Sequence, residues 1–201
     1  MAADLGAAYV GLVFFPRSPR HVTPADARWI LREPFAQVTR VALTVDADDA
    51  LLGEILAAGP IDMLQLHGHE PPERVAQVRE RFGLPVMKAV GVEDETDLPL
   101  LDEHARAADQ ILVDARPPRG APVPGGRGVA FEGRLIRARR WTVPWMLAGG
   151  LNPQNVAEAI RLTGAEQVDV SSGVESAPGR KDRKLVAAFI DAAATAAASA
   201  A

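Results

Sequence analysis

Along the chain, short apolar runs alternate with stretches whose apolar positions recur at helical spacing. The runs begin near residues 9, 39, 63, 86, 111, 145 and 168, several of them 23 to 24 residues apart, about one compact strand–helix unit. Tyr9 to Phe15 is apolar almost throughout, which suits a strand buried on both faces of a parallel sheet. A helix is expected from Thr23, a good N-cap followed by Pro24 and Asp26, to about Leu31, with Pro34 closing it. The pattern continues with a strand over Thr39–Val45, a helix over Asp48–Ala58, a strand over Met63–Leu66 and a helix over Pro72–Phe82 stopped by Gly83. Val86–Val90 reads as a strand, Asp97–Ala107 as a weaker helix, and Ile111–Val113 as a strand ending at Asp114.

The rhythm breaks at Arg116–Gly128, a loop rich in Pro and Gly that carries Arg116, Arg119 and Arg127. Loops of that length in compact domains usually serve function or move. A helix over Glu132–Arg140 and a strand over Trp145–Ala148 follow. Gly149-Gly150 makes a turn, and Asn152 is placed to cap a helix with Pro153 at its first position. Val168–Val170 is the last strand, trailed by Ser171-Ser172-Gly173. The final helix starts near Asp182 and runs into an Ala-rich tail from Ala192 that is expected to fray.

Alternating strands and helices predict a parallel sheet covered by helices. An open doubly wound sheet and a (β/α)8 barrel are the two ways to arrange it. Seven strands are visible, and Ala2–Ala8 reads as the end of a helix with Gly6 at its C-cap. A preceding strand and half-helix would complete eight. The expected fold is therefore an α/β TIM (β/α)8-type barrel whose first strand and part of whose first helix are missing from this chain. Residues 1–190 form one barrel domain and 191–201 the Ala-rich tail on this reading.

Composition narrows the function. With 201 residues, 48% hydrophobic and 24% charged, the chain is long enough for one well-cored domain. Lys and Arg number 22 against 26 Asp and Glu, a net charge of -4, which argues against nucleic acid as a partner and leaves room for a local anion pocket. There is no cysteine, hence no disulfide, thiolate metal site or cysteine catalyst in this sequence. Ala7–Phe15 is too short to span a bilayer and has no basic segment before it, so a cytoplasmic protein without membrane contact is expected. The histidines, His21, His67, His69 and His104, do not match zinc spacings, and no P-loop, dinucleotide fingerprint or GxSxG elbow occurs. No metal and no cofactor is expected.

Barrel chemistry sits at the C-terminal strand ends, and phosphate is often held by the loops after the last two strands. Those loops read Ala148-Gly149-Gly150-Leu151 and Ser171-Ser172-Gly173-Val174, small and glycine-rich, so backbone N–H groups can approach an anion. Arg17 and Arg20 follow the first visible strand, Gln65 and His67 end the third, and Asp114 ends the fifth. Singly, each has a bland reading: a surface charge, a helix cap, a brace for the basic loop. Together they describe an acid, an imidazole, a guanidinium and an anion cradle. That set suits a small phosphorylated, carboxylate-bearing substrate.

These segments resemble the phosphoribosylanthranilate isomerase family of tryptophan biosynthesis. The resemblance runs through Gly11-Leu12-Val13-Phe14-Phe15-Pro16-Arg17-Ser18-Pro19-Arg20, Val22-Thr23-Pro24, Gln65-Leu66-His67-Gly68, Lys88-Ala89-Val90 and Ile111-Leu112-Val113-Asp114. It continues through Ala148-Gly149-Gly150-Leu151-Asn152-Pro153 and Val168-Asp169-Val170-Ser171-Ser172-Gly173-Val174-Glu175. It implies a TIM barrel without cofactor that carries out an Amadori rearrangement. A general acid opens the ribose ring of N-(5'-phosphoribosyl)anthranilate, and a general base then removes the C2' proton. By resemblance Asp114 is the acid and Arg20 holds the anthranilate carboxylate. Gly149, Gly150, Ser172 and Gly173 form the phosphate site, with Gln65, His67 and Asp169 lining the substrate pocket.

Two departures accompany it. The family's base is a cysteine in a Lys-x-Cys-Gly segment of the first strand, and this chain has neither that segment nor any cysteine. The expectation is a start placed too late, with roughly 16 to 20 residues preceding Met1, somewhat less than one βα unit. The competing reading is a barrel that binds sugar phosphates without turning them over. The family's Gly-Gly-x-Gly-x-x-Phe-Asp-Trp segment reads here Gly125-Gly126-Arg127-Gly128-Val129-Ala130-Phe131-Glu132-Gly133, with Glu for Asp and Gly for Trp.

Overall fold

A computed structural model of the chain describes residues 1–32, 38–115, 133 and 136–198. Six strands form one sheet: β1 (Tyr9–Phe14), β2 (Thr39–Thr44), β3 (Met63–Leu66), β4 (Val86–Val92), β5 (Gln110–Ala115) and β6 (Trp145–Ala148). Their spatial order is their chain order, and every pairing is parallel. A doubly wound sheet reverses direction at a switch point, whereas a barrel winds one way only. The one-way order decides for barrel-type winding. Val168 continues the series through a parallel bridge to Leu147, with the Leu147 and Asp169 amides bonded across at 2.9 and 2.8 Å. Six of the seven expected strands form; the seventh, expected over Val168–Val170, is reduced to this single bridge at Val168.

Side chains alternate across this sheet, as strand geometry requires. Leu12, Phe14, Ala42, Leu64, Leu66, Val90, Ile111 and Val113 face outward and share one core with the helices. Val41, Met63, Met87, Ala89, Leu112, Met146 and Ala148 face inward and form a second core, against which Tyr9 packs. The sheet curls around this inner cluster, which runs from β1 to β6. The helices are α1 (Pro24–Ile30), α2 (Asp49–Ala58), α3 (Pro72–Phe82), α4 (Leu98–Ala105), α5 (Val156–Thr163) and α6 (Arg183–Ala198). Their starts follow local chemistry. Thr23 and Asp26 close a reciprocal capping box before α1, and the Asp48 carboxylate accepts from the Leu51 amide at 2.9 Å before α2.

Four expectations need correction. Tyr9–Phe15 is not buried on both faces: Leu12 and Phe14 are buried, but inward-facing Gly11 is exposed and Tyr9 and Val13 are half-buried. Asn152 does not cap the next helix. Its side chain accepts from the Gln154 and Asn155 amides, making a turn, and α5 begins only at Val156. The Ala-rich segment is helical through Ala198, where α6 lays Ala192, Ala193 and Ala196 against the core formed with α5, and positions 199–201 lie outside the described residues. Alanine is the best helix former, so the segment needs little packing to stay helical. The helix expected to reach Arg140 stops at Arg137; its positions 132, 134 and 135 lie outside the described residues, as do Pro34 and the 116–128 loop.

The strand near Glu175 was not foreseen. A two-stranded antiparallel hairpin, β7 (Glu175–Ala177) and β8 (Arg180–Lys181), follows a 3-10 turn at Ser172–Val174.

Candidate active site

Strand alternation turns Gln65, His67, Asp114 and Asp169 toward the inner face at the C-terminal ends of their strands. His67 follows β3, where its amide donates to the Thr44 carbonyl at 2.8 Å and so locks the chain direction past the strand end. The Gln65 amide nitrogen lies 3.1 Å from His67 Nδ1. An amide nitrogen only donates, so Nδ1 is the acceptor and Nε2 carries the proton. That Nε2 lies 3.6 Å from Asp114 Oδ2. Gln65 thus sets the tautomer that directs an N–H toward one oxygen of Asp114.

Asp169, on the seventh stave, feels both groups. Protein crowding pushes its carboxyl up, the like charge of Asp114 adds to the rise, and His67 and Lys181 oppose it. The side chain still meets solvent through the open inner face, which moderates the crowding. Asp114, His67 and Asp169 therefore occupy one mouth.

The two glycine loops close the same end. Gly149 has φ 97°, a region that side chains avoid, and a Cβ there would collide with the Ala115 carbonyl oxygen. A Cβ on Gly173 would collide with the Leu151 carbonyl oxygen. The loop after β6 thus lies directly on the end of β5, and the Ser172–Gly173 loop lies directly on the loop after β6. Asn155 ties the turn further, its Nδ2 donating to the Gly150 carbonyl at 3.0 Å.

Arg20 stands apart from the acid–imidazole group. Its Nε and Nη2 donate to the two carboxylate oxygens of Glu175, each at 2.7 Å, a bidentate pair joining the loop after β1 to β7. The same bonds, helped by Lys181 and the Gly179 amide, hold the Glu175 carboxyl down at about 2 and raise Arg20. Lys181 Nζ also donates to the Ser171 carbonyl at 2.8 Å, which connects this cluster to the Ser172–Gly173 loop. Of the five guanidinium protons, those on Nη1 remain directed away from Glu175.

Sequence reasoning gave Glu175 and Lys181 no role, although Glu175 sits inside a segment already singled out. A glutamate directly after a glycine-rich anion loop is the signal. A carboxylate there repels an anion unless a cation holds it. A concavity of about 750 Å³ between α5 and α6, lined by Ile160, Arg161, Asp191 and Ala192 among others, carries no comparable acid–base set.

A sequence model described as N-(5'phosphoribosyl)anthranilate (PRA) isomerase matches residues 1–192. This chain belongs to the phosphoribosylanthranilate isomerase family. An N-(5'-phosphoribosyl)anthranilate isomerase of Cereibacter sphaeroides is 64% identical over 192 residues, covering 96% of this chain and 91% of the relative. The corresponding protein of Paramagnetospirillum magneticum is 54% identical over 193 residues, covering 96% and 90%. Among solved structures, the isomerase from Thermotoga maritima superposes with a TM-score of 0.84 at 37% identity, covering 96% of this chain and 91% of that one. A phosphoribosyl anthranilate isomerase in complex with reduced 1-(o-carboxyphenylamino)-1-deoxyribulose 5-phosphate gives 0.82 at 35% identity, again covering 96% and 91%. The barrel-type winding seen here is the fold of these isomerases. No helix among the described residues is long and apolar enough to cross a membrane.

Proposed function

We propose that this chain isomerises N-(5'-phosphoribosyl)anthranilate to 1-(2-carboxyphenylamino)-1-deoxyribulose 5-phosphate in tryptophan biosynthesis, with Asp114 as general acid. The observation that carries the assignment of roles is the 3.6 Å approach of His67 Nε2 to Asp114 Oδ2, beside two glycine loops packed backbone-on-backbone. Asp114, with His67 Nε2 beside it, lies at the mouth to deliver a proton to the ribose ring oxygen. Gly149, Gly150, Ser172 and Gly173 offer unshielded backbone to the phosphate, while Arg20, already fixed by Glu175, presents its remaining N–H groups to the anthranilate carboxylate. Asp169 and Gln65 line the space between. Ring opening then gives a Schiff base, and going on to the enol-amine that becomes the ketone requires a base to take the C2' proton. The family pattern assigns that last proton to a cysteine, and this sequence contains none. Recognition and turnover are therefore separate properties to measure.

The test follows consumption of the substrate by its fluorescence and binding of the reduced product by calorimetry. Asp114→Asn should lower kcat roughly 10²–10⁴-fold while changing affinity for the reduced product far less. An unchanged kcat overturns the acid assignment. Tight binding by the unaltered chain with no conversion overturns turnover and leaves recognition standing.

A further inference from the structure

The proposed chemistry leaves one buried charged pair unused. Lys88, on β4, is 2% exposed, and Glu70, in the loop after β3, is 5% exposed. Lys88 Nζ lies 3.0 Å from Glu70 Oε2 and within 3.2 Å of three carbonyls, those of Leu66, Gly68 and Ala89. Its three protons therefore meet four oxygens. The Glu70 carboxylate in turn accepts from the amides of Gly68 and Asp46, each at 2.9 Å. Asp46 has φ 50°, the one non-glycine residue with positive φ among the described residues. Its own carboxylate accepts from the His69 amide at 2.5 Å.

A buried ion pair costs desolvation and seldom adds net stability over apolar residues of the same volume. What this one does is hold backbone. The ammonium grips the carbonyls of Leu66 and Gly68, the two residues flanking His67. The carboxylate grips the amides of Gly68 and Asp46, tying the loop after β2 to the loop after β3. Alternation places Lys88 on the outer face of β4, with Val86 and Val90, whereas His67 faces inward. The pair is thus out of reach of anything bound in the mouth and acts only through the chain it holds.

We propose that the Lys88–Glu70 pair is a positioning device that fixes residues 66–68 and thereby the His67 imidazole relative to Asp114. This rests on the reading of His67 as part of the substrate site and deepens it. The test is Lys88→Met/Glu70→Gln, which removes both charges together. Three quantities are read: thermal melting, the titration of His67 by ¹⁵N-histidine NMR, and calorimetric affinity for the reduced product. The expected result is cooperative melting, a displaced His67 titration and an affinity lower by up to about 100-fold, the scale of an ångström-size misplacement. A folded variant whose His67 titration and affinity match the parent overturns the proposal. Should the variant not fold, amide exchange on the unaltered protein decides. The Gly68 and Asp46 amides should exchange together and slowly, and exchange at the rate of free loop overturns the proposal. His67→Ala separates the two levels. If it leaves affinity unchanged, the site reading fails, while the NMR titration still reports whether the pair positions the ring.

Discussion

Two lysine–glutamate pairs of nearly equal length sit in opposite flanks of the sheet. Lys88 and Glu70 are 3.0 Å apart with side chains 3% and 4% exposed; Lys181 and Glu175 are 2.9 Å apart with side chains 36% and 4% exposed. The first lies where β3, β4 and β5 are buried almost throughout. The second lies beside β1 and the seventh stave, where inward-facing Gly11 and Asp169 meet solvent. Distance alone says nothing of strength. Between the two flanks what changes is the dielectric around the charges and the number of backbone groups that depend on them. In the closed flank neither charge has water to fall back on; in the open flank Lys181 does, although Glu175 is as buried as Glu70.

The largest expected effect follows from removing one partner in the closed flank. Lys88→Met alone leaves Glu70 buried without its cation, and breaking a buried pair in this way costs about 3–5 kcal/mol. Urea unfolding with the midpoint and slope both measured checks it. A loss below about 1 kcal/mol would mean that water reaches Glu70 and that the two flanks do not differ as described.

Apolar positions sharpen the same contrast. Val41 and Val13 both face inward on neighbouring strands, but Val41 is 3% exposed and Val13 half-buried. Val41→Ala removes two buried methyl groups, about 1.6 kcal/mol of transfer free energy before any cavity cost. Val13→Ala should cost under about 1 kcal/mol, since water already wets that face. Equal losses in urea unfolding would show that the inner face of β1 is covered in solution.

These flanks also separate what could be read in the sequence from what could not. Periodicity placed Met63–Leu66, Pro72–Phe82 and Trp145–Ala148 residue for residue, because each is an apolar run or amphipathic stretch bounded by Gly or Pro. Burial of β1 is not legible because Tyr9–Phe14 carries the apolar content of a doubly buried strand, and its place at the end of the strand order among the described residues leaves no mark within the strand itself. Asp114 and His67 were legible as strand-end polar residues, but their 3.6 Å approach was not, since it depends on the curl of the whole sheet. Lys88 was legible in principle. A lysine in the middle of Val86-Met87-Lys88-Ala89-Val90 has to find acceptors, and only the fold shows that Glu70, 18 positions earlier, supplies them. Glu175 is the reverse case: its place in the motif was plain, but its partner Arg20 lies 155 positions away.

The smallest effect belongs to the open flank. Lys181 is one of three donors to Glu175, and the Arg20 guanidinium contributes more than it does. Lys181→Met should therefore cost less than about 1 kcal/mol, and salt should erase most of the difference, because the lysine is partly in water. The acid dependence isolates the stronger partner. Glu175 titrates at about 2 in the folded chain and near 4.5 when unpaired, so its contribution is complete above about 4.5 and is lost as the pH falls toward about 2. In Arg20→Met the carboxyl loses its main support, its folded value climbs back toward the unpaired one, and the acid-dependent loss over that window shrinks. Lys181→Met should leave most of it. Urea midpoints of the parent and both variants across this window test the ranking. If Lys181→Met flattened the acid limb as much as Arg20→Met, the bidentate pair would not be the main support of Glu175. Arg20 would then be held no more firmly than an ordinary surface arginine, and its role as a pre-set carboxylate clamp would lose its structural basis.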